Sequence, residues 1–115
     1  MSDIWHKGNL PIENLTPTAA TISGVTFNRS HFYRMGPIVY CQANITLASG
    51  TTVATNTNLF TGLPAAVGTT DMPFVYTGGN ANRSVYINSA GQLKTSGSVT
   101  AGTWVFNGWY HTTAS

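Results

Sequence analysis

From Thr18 onward, polar and apolar residues alternate with a period of two, broken at short intervals by glycine and asparagine. Successive side chains leave a strand on opposite sides, so this pattern predicts strands with one buried and one wet face. The stretch Ile38 to Ala48 shows it best. Val39, Cys41, Ala43, Ile45 and Leu47 fall on one side, and Tyr40, Gln42, Asn44 and Thr46 on the other. That alternation predicts a half-buried antiparallel strand. Shorter runs predict strands at Thr21 to Phe27, with Gly24 as a candidate bulge, and at His31 to Met35. Gly36-Pro37 turns the chain into the Ile38 strand. Further strands are expected at Asn58 to Thr61, Pro73 to Thr77, Ser84 to Asn88, Gly91 to Thr95 and Thr103 to His111. About seven or eight short strands with no helical period describe an antiparallel β-sandwich or barrel. No fixed-period repeat points to a solenoid or propeller.

Residues Met1 to Pro17 break the pattern. They hold Asp3, Lys7 and Glu13 beside Trp5, Pro11 and Pro17, and the prolines preclude a long helix. We read 1–17 as an N-terminal arm or linker and 18–115 as a β-sandwich head domain.

Composition sharpens this reading. Charged residues make up 7% of the chain, against about 25% in an ordinary soluble domain. Thr, Ser, Asn and Gly supply the polar surface instead, and they suit strands and turns. The 42% apolar content is enough to bury a core, which argues against disorder. The five basic residues are scattered, so the phosphate-neutralising stripe that nucleic acid requires is missing. No apolar run has the length of a membrane-spanning helix. The opening residues lack a basic stretch leading into an apolar one, which predicts no leader peptide, and the lone Cys41 suggests a reducing compartment. With no leader, the Asn-x-Ser/Thr triplets at Asn14, Asn28, Asn44 and Asn82 read as chance matches.

The same residues argue against an enzyme. Cys41 lies mid-way along an apolar strand face, where a thiol acts as a small hydrophobe. Glycoside hydrolysis normally uses two carboxylates, and only Asp71 lies in the β body. His6, His31 and His111 stand far apart in sequence with no carboxylate beside them, which predicts no metal and no cofactor. Binding is the better expectation. Trp104, Phe106 and Tyr110 share one face of the last strand, and Val105, Asn107, Trp109 and His111 the other. Large apolar groups on both faces mean that one is core and the other is covered by a sheet edge, a neighbouring subunit or a ligand. Trp109 with Asn107 and His111 offers a ring to stack on a sugar and polar groups for its hydroxyls. A second candidate surface gathers Asp71, Tyr76, Asn80, Asn82 and Arg83 from neighbouring loops around one strand; solvated turn residues are the alternative there.

Several segments carry a family resemblance. Phe32-Tyr33-Arg34-Met35-Gly36-Pro37-Ile38-Val39-Tyr40 opens the long strand, and Asn58-Leu59-Phe60-Thr61-Gly62-Leu63-Pro64 follows. Then come Val85-Tyr86-Ile87-Asn88-Ser89-Ala90-Gly91-Gln92-Leu93, Ala101-Gly102-Thr103-Trp104 and the terminal Tyr110. In this order they resemble the C-terminal head (receptor-binding) domain of tailed-bacteriophage tail-fibre and baseplate proteins, across most of the chain. The resemblance implies a compact antiparallel β-fold assembled as a homotrimer on a fibre tip. It implies binding of bacterial cell-wall saccharide without cleavage, contact with other virion structural proteins, and assembly into the virion after synthesis in the host cytoplasm. No binding residue transfers by motif. The loop Ala65-Ala66-Val67-Gly68 lacks the Gly-aromatic-basic-Pro run common in such heads, and Met1 stands close to the body where relatives carry a shaft. That second departure predicts either a piece of a longer chain or an arm that docks on another protein. In the docking case the fold is that of a structural virion protein, a head fibre or capsid decoration, seated through Ile4, Trp5, Leu10, Ile12 and Leu15. A small bacterial carbohydrate-binding module is a third reading.

Overall fold

The computed structural model describes residues 12–113, which form nine antiparallel strands and no helix. The strands are β1 (Ile12–Asn14), β2 (Thr18–Ala19), β3 (Val25–Met35), β4 (Ile38–Leu47) and β5 (Asn58–Thr61). They continue with β6 (Thr70–Tyr76), β7 (Asn82–Ile87), β8 (Leu93–Thr95) and β9 (Gly102–His111). All belong to one sheet in the order β1-β3-β4-β9-β6-β7-β8-β5-β2. The all-β antiparallel class expected from the alternation is the one observed, as a single sheet curled into a half-barrel. β4 alternates buried and half-buried residues along its whole length, with Val39, Cys41, Ala43, Ile45 and Leu47 inward. β9 pairs with it residue for residue from Ile38–His111 to Leu47–Gly102 and turns Trp104, Phe106 and Tyr110 inward.

The expected strands at Thr21 to Phe27 and His31 to Met35 are parts of one strand, β3. Before Val25 the chain turns instead: Gly24 has φ 80°, and the Val25 N–H donates to the Ile22 carbonyl at 3.1 Å. The bulge lies at Asn28, where the β3–β4 register shifts between Phe27 and Arg29. The core requires it. Phe27 and Phe32 are an odd number of residues apart, so strict alternation would place them on opposite faces. Both pack on Phe60 of β5, at ring-centroid distances of 5.2 and 4.7 Å. One extra residue corrects the phase. Asn28 keeps its side chain on the outer face, donating from Nδ2 to Asn44 Oδ1 and Thr46 Oγ1, both at 2.8 Å.

The curl is held where its margins meet. β1 pairs with the end of β3 (Ile12↔Met35, Asn14↔Tyr33), and the Leu15 N–H donates to the Phe32 carbonyl at 2.8 Å. A few residues later β2 pairs with β5 (Thr18↔Thr61, Ala19↔Phe60), and the Ala20 N–H donates to the Leu59 carbonyl at 2.9 Å. Residues 12–20 therefore tie the β3 side of the sheet to the β5 side, and Leu15 packs on the core. From Ile12 onward, the stretch read as an arm is part of the sheet. Ile12 is 61% exposed, whereas Leu15 faces the core; the other docking residues, Ile4, Trp5 and Leu10, lie outside the described residues.

Buried polar side chains mostly find partners within the chain, as the apolar interior demands, with Asn58 Oδ1 the exception among the described residues. Trp104 Nε1 donates to the Thr100 carbonyl at 2.9 Å and the Tyr110 hydroxyl to the Pro64 carbonyl at 2.8 Å. Thr112 Oγ1 donates to the Ala65 carbonyl at 2.6 Å, so the end of β9 pins the loop after Leu63-Pro64. The turn between β7 and β8 is closed by Asn88, whose Oδ1 accepts from the backbone N–H groups of Ala90 and Gln92 at 3.0 and 3.1 Å. Gly91 sits there at φ 73°, and a Cβ on it would collide with the Leu63 carbonyl oxygen. Cys41 is fully buried, and burial pushes its thiol up to about 12. Burial also raises the neighbouring Tyr110 phenol, helped by Cys41 and opposed by Arg34.

Three outcomes follow from this packing. Gly91→Ala should cost more than about 2 kcal/mol, because it combines an unfavourable left-handed φ with a backbone clash; the urea midpoint measures it. Removing residues 1–17 takes away Leu15 and one margin pairing, and should lower stability by about 2 kcal/mol. An unchanged midpoint would show that the sheet closes without its seam. Cys41 should resist iodoacetamide at pH 8 in the folded protein and react on unfolding. The unfolded chain loses the thiol proton near pH 9, whereas the folded chain holds it to about 12. Stability should therefore fall as pH rises between these values, and Cys41→Ala should flatten part of that fall.

Candidate functional site

The closure that turns β3, β4 and β9 inward also spreads their other face toward solvent. Residues paired across an antiparallel ladder share a face, so this outer face is built of cross-strand rows. Met35, Ile38 and His111 form the first row, and Tyr33, Tyr40 and Trp109 the second. His31, Gln42 and Asn107 follow, then Arg29, Asn44 and Val105, with Val75 of β6 beside Val105. Along a strand the rows lie roughly 7 Å apart.

The second row is aromatic. Tyr33 and Tyr40 stack with ring centroids 5.1 Å apart and planes at 29°, and Trp109 meets His111 edge-on at 6.0 Å. Trp109 is 58% exposed, which leaves much of its indole open to solvent. Trp104, five residues before Trp109 on the same strand and so on its other face, is buried against Phe74 and Tyr76 and has its indole N–H bonded. The strand thus separates a core tryptophan from a surface one.

The next two rows enclose a depression of about 430 Å³ lined by Arg29, His31, Gln42, Ala43, Asn44 and Val105. The Ala43 side chain faces the core, so that residue meets the depression with its backbone. The bulge at Asn28 is what brings Arg29 here. Without the extra residue, the phase that turns Phe27 inward would turn Arg29 inward too. The side chains of Arg29, His31 and Gln42 form no hydrogen bond among the described residues. Asn44 has one oxygen engaged by Asn28. The face therefore combines an open aromatic end with a polar hollow that keeps unspent donors, an arrangement suited to reversible binding of a polyhydroxy ligand.

The other residues singled out from sequence are dispersed. Asp71 is exposed on the outer face of β6, opposite Tyr86. The β6–β9 pairing continues in phase far enough for Met72 to pack at Gly108, where a Cβ would crowd it. That phase places Asp71 at the aromatic end of the face, beside Trp109. Tyr76 is a packing residue: its ring lies 5.3 Å from that of Trp104 and fills space kept open by Gly78, Gly79 and Gly102. Asn80 belongs to the exposed β6–β7 turn, and Asn82 opens β7 opposite Val75. Arg83 is opposite the buried Phe74 and so belongs to the other phase from Asp71. Its Nε donates to the Ser98 carbonyl at 2.9 Å and its Nη1 to the Asn82 carbonyl at 2.7 Å, which clamps the loop before Val99.

Sequence reasoning thus reached Trp109, His111 and Asp71 of this face and passed over Tyr33, Arg29, His31 and the polar side of β4. The signal for Tyr40, Gln42 and Asn44 was the wet half of the clearest alternation in the chain. Arg29 and His31 had no such signal, because the bulge that sets their phase serves an aromatic contact with a distant strand. Among the described residues, no three His, Cys, Asp or Glu side chains are grouped to hold a metal ion. Neither the scan against protein-family models nor the search of curated proteins finds a match to the chain.

Proposed function

We propose that this chain is a non-enzymatic receptor-binding head of the tailed-phage type, which lays a bacterial surface saccharide across the outer face of β3, β4 and β9. The observation that carries the reading is Trp109. A large indole left 58% exposed, flanked by His111 and Tyr40 and followed by a row of amides, presents a flat apolar surface with hydrogen-bonding groups at its edge. That is the pairing a sugar ring needs, with its apolar face stacked and its hydroxyls bonded. The resemblance of the ordered segments Phe32 to Tyr40, Asn58 to Pro64, Val85 to Leu93 and Ala101 to Trp104 to phage head domains supports the same reading. On this proposal the head works as a homotrimer on a virion, held by other virion structural proteins, and it needs no cofactor.

Adsorption tests it. The purified chain, fluorescently labelled, is incubated with a panel of bacterial cells and competed with cell-wall polysaccharide from each. Binding to at least one strain, competed by that strain's polysaccharide, is expected. Trp109→Ala should weaken it at least about tenfold, equivalent to ~1.4 kcal/mol, while the urea midpoint stays put because the side chain is outside the core. Light scattering at micromolar concentration should give the mass of a trimer. Absence of adsorption across the panel, with no response to any of the polysaccharides, would favour a structural virion protein.

A further inference from the structure

The hollow beside the aromatic row has a charge character that the stacking surface lacks. Arg29 and His31 stand two residues apart on the outer face of β3, on one side of the depression, with Gln42 and Asn44 opposite them in register. Neither Arg29 nor His31 is engaged with another side chain among the described residues. Among the described residues no carboxylate lines the hollow. The acidic residues among the described ones are Glu13 and Asp71. Glu13 is opposite Arg34, in the phase that Val39 and Tyr110 turn inward. Asp71 lies at the aromatic end on β6, three strand spacings or roughly 14 Å from β3, beyond the ~10 Å over which salt leaves exposed charges coupled. A permanently charged guanidinium with its donors unspent is therefore set in a polar recess with no counter-ion among the described residues. A planar fork of N–H donors matches an oxyanion better than a hydroxyl.

We infer that this hollow is an anion subsite, which takes a carboxylate or phosphate group carried by the saccharide that lies on Trp109. Arg29 supplies the charge-assisted hydrogen bonds and His31 a further donor. Gln42 and Asn44 bond the hydroxyls next to the acidic group, and Val105 supplies apolar contact to the ring. The aromatic row and the Arg29 row are two row spacings apart, roughly 13 Å, so one ligand of more than one sugar unit spans both. The ligand class is thus narrowed from saccharide to acidic saccharide. The inference rests on the saccharide reading for its ligand, although the subsite itself is defined by Arg29 and His31.

Nuclear magnetic resonance titration of the full chain separates the two claims. The probes are glucose, glucuronate, glucose 6-phosphate and inorganic phosphate, each at 50 and 300 mM NaCl. Glucuronate or glucose 6-phosphate should shift the Arg29 side-chain N–H and His31 ring signals together with the Trp109 indole. At low salt either should bind at least fivefold more tightly than glucose, with the advantage reduced at high salt. Comparison of the two acids tells a carboxylate from a phosphate preference. Arg29→Gln should abolish the advantage over glucose while leaving the glucose shifts at Trp109, and the unchanged remainder of the spectrum reports that the fold is intact. If glucose and both acids bind equally, or Arg29→Gln keeps the preference, the anion subsite is overturned and the saccharide face stands. If the acids, inorganic phosphate included, shift Arg29 and His31 while no sugar reaches Trp109, the subsite stands and the saccharide reading falls. Silence from all four probes overturns both.

Discussion

Phe60 is packed against two phenylalanines of one strand that simple alternation would send to opposite sides. That contact governs the rest of the molecule. Phe27 and Phe32 both reach it from β3, and Phe106 of β9 lies 6.3 Å from it on the other side. Each aromatic pair contributes about 0.5–1.5 kcal/mol beyond the area it buries, so the cluster offsets the loss of one regular ladder position at Asn28. It also draws β5 toward β3 across the interior, which curls the sheet and sets the distance that residues 12–20 must bridge.

The bulge has a second effect on the opposite face. By shifting the phase of β3 it turns Arg29, His31 and Tyr33 outward together, in register with Asn44, Gln42 and Tyr40. Core closure and surface display are coupled through one inserted residue. Asn28 stabilises that insertion with its own amide, bonded to Asn44 and Thr46, and Thr46 continues to Thr103 at 3.0 Å. A bulge and a charged residue on a sheet margin also suit an edge that must not pair with another chain.

The partition of the aromatics follows the same logic. β9 pairs with β4 without interruption, so its alternation is strict, and Trp104, Phe106 and Tyr110 enter the core while Trp109 stays outside. Gly108, between Trp109 and Asn107, leaves room on the inner side for Met72. Tyr110 and Thr112 then spend their hydroxyls on the loop after Leu63. The outer face is thus carried by long, well-bonded strands, a rigid base for the binding surface we propose.

Local pattern alone determined the class of fold, the strands at Ile38, Asn58 and Thr103 and the core placement of Cys41. Each depends on period-two alternation within a few residues, which a strand obeys wherever it sits. That Trp109 and His111 share the face opposite Trp104 was legible for the same reason, although not which of the two faces is core. Three features were decided only by tertiary structure. Arg29 and His31 face outward because Phe27 and Phe32 must meet Phe60, a contact between strands distant in sequence. Leu15 and its neighbours join the sheet because curling brings two margins within reach of one short segment. Arg83 and Tyr76 leave the expected binding cluster because the Ser98 carbonyl and the Trp104 ring, set by other strands, claim them first. Alternation specifies which side of a strand a residue takes; contacts between distant strands specify where that alternation must break.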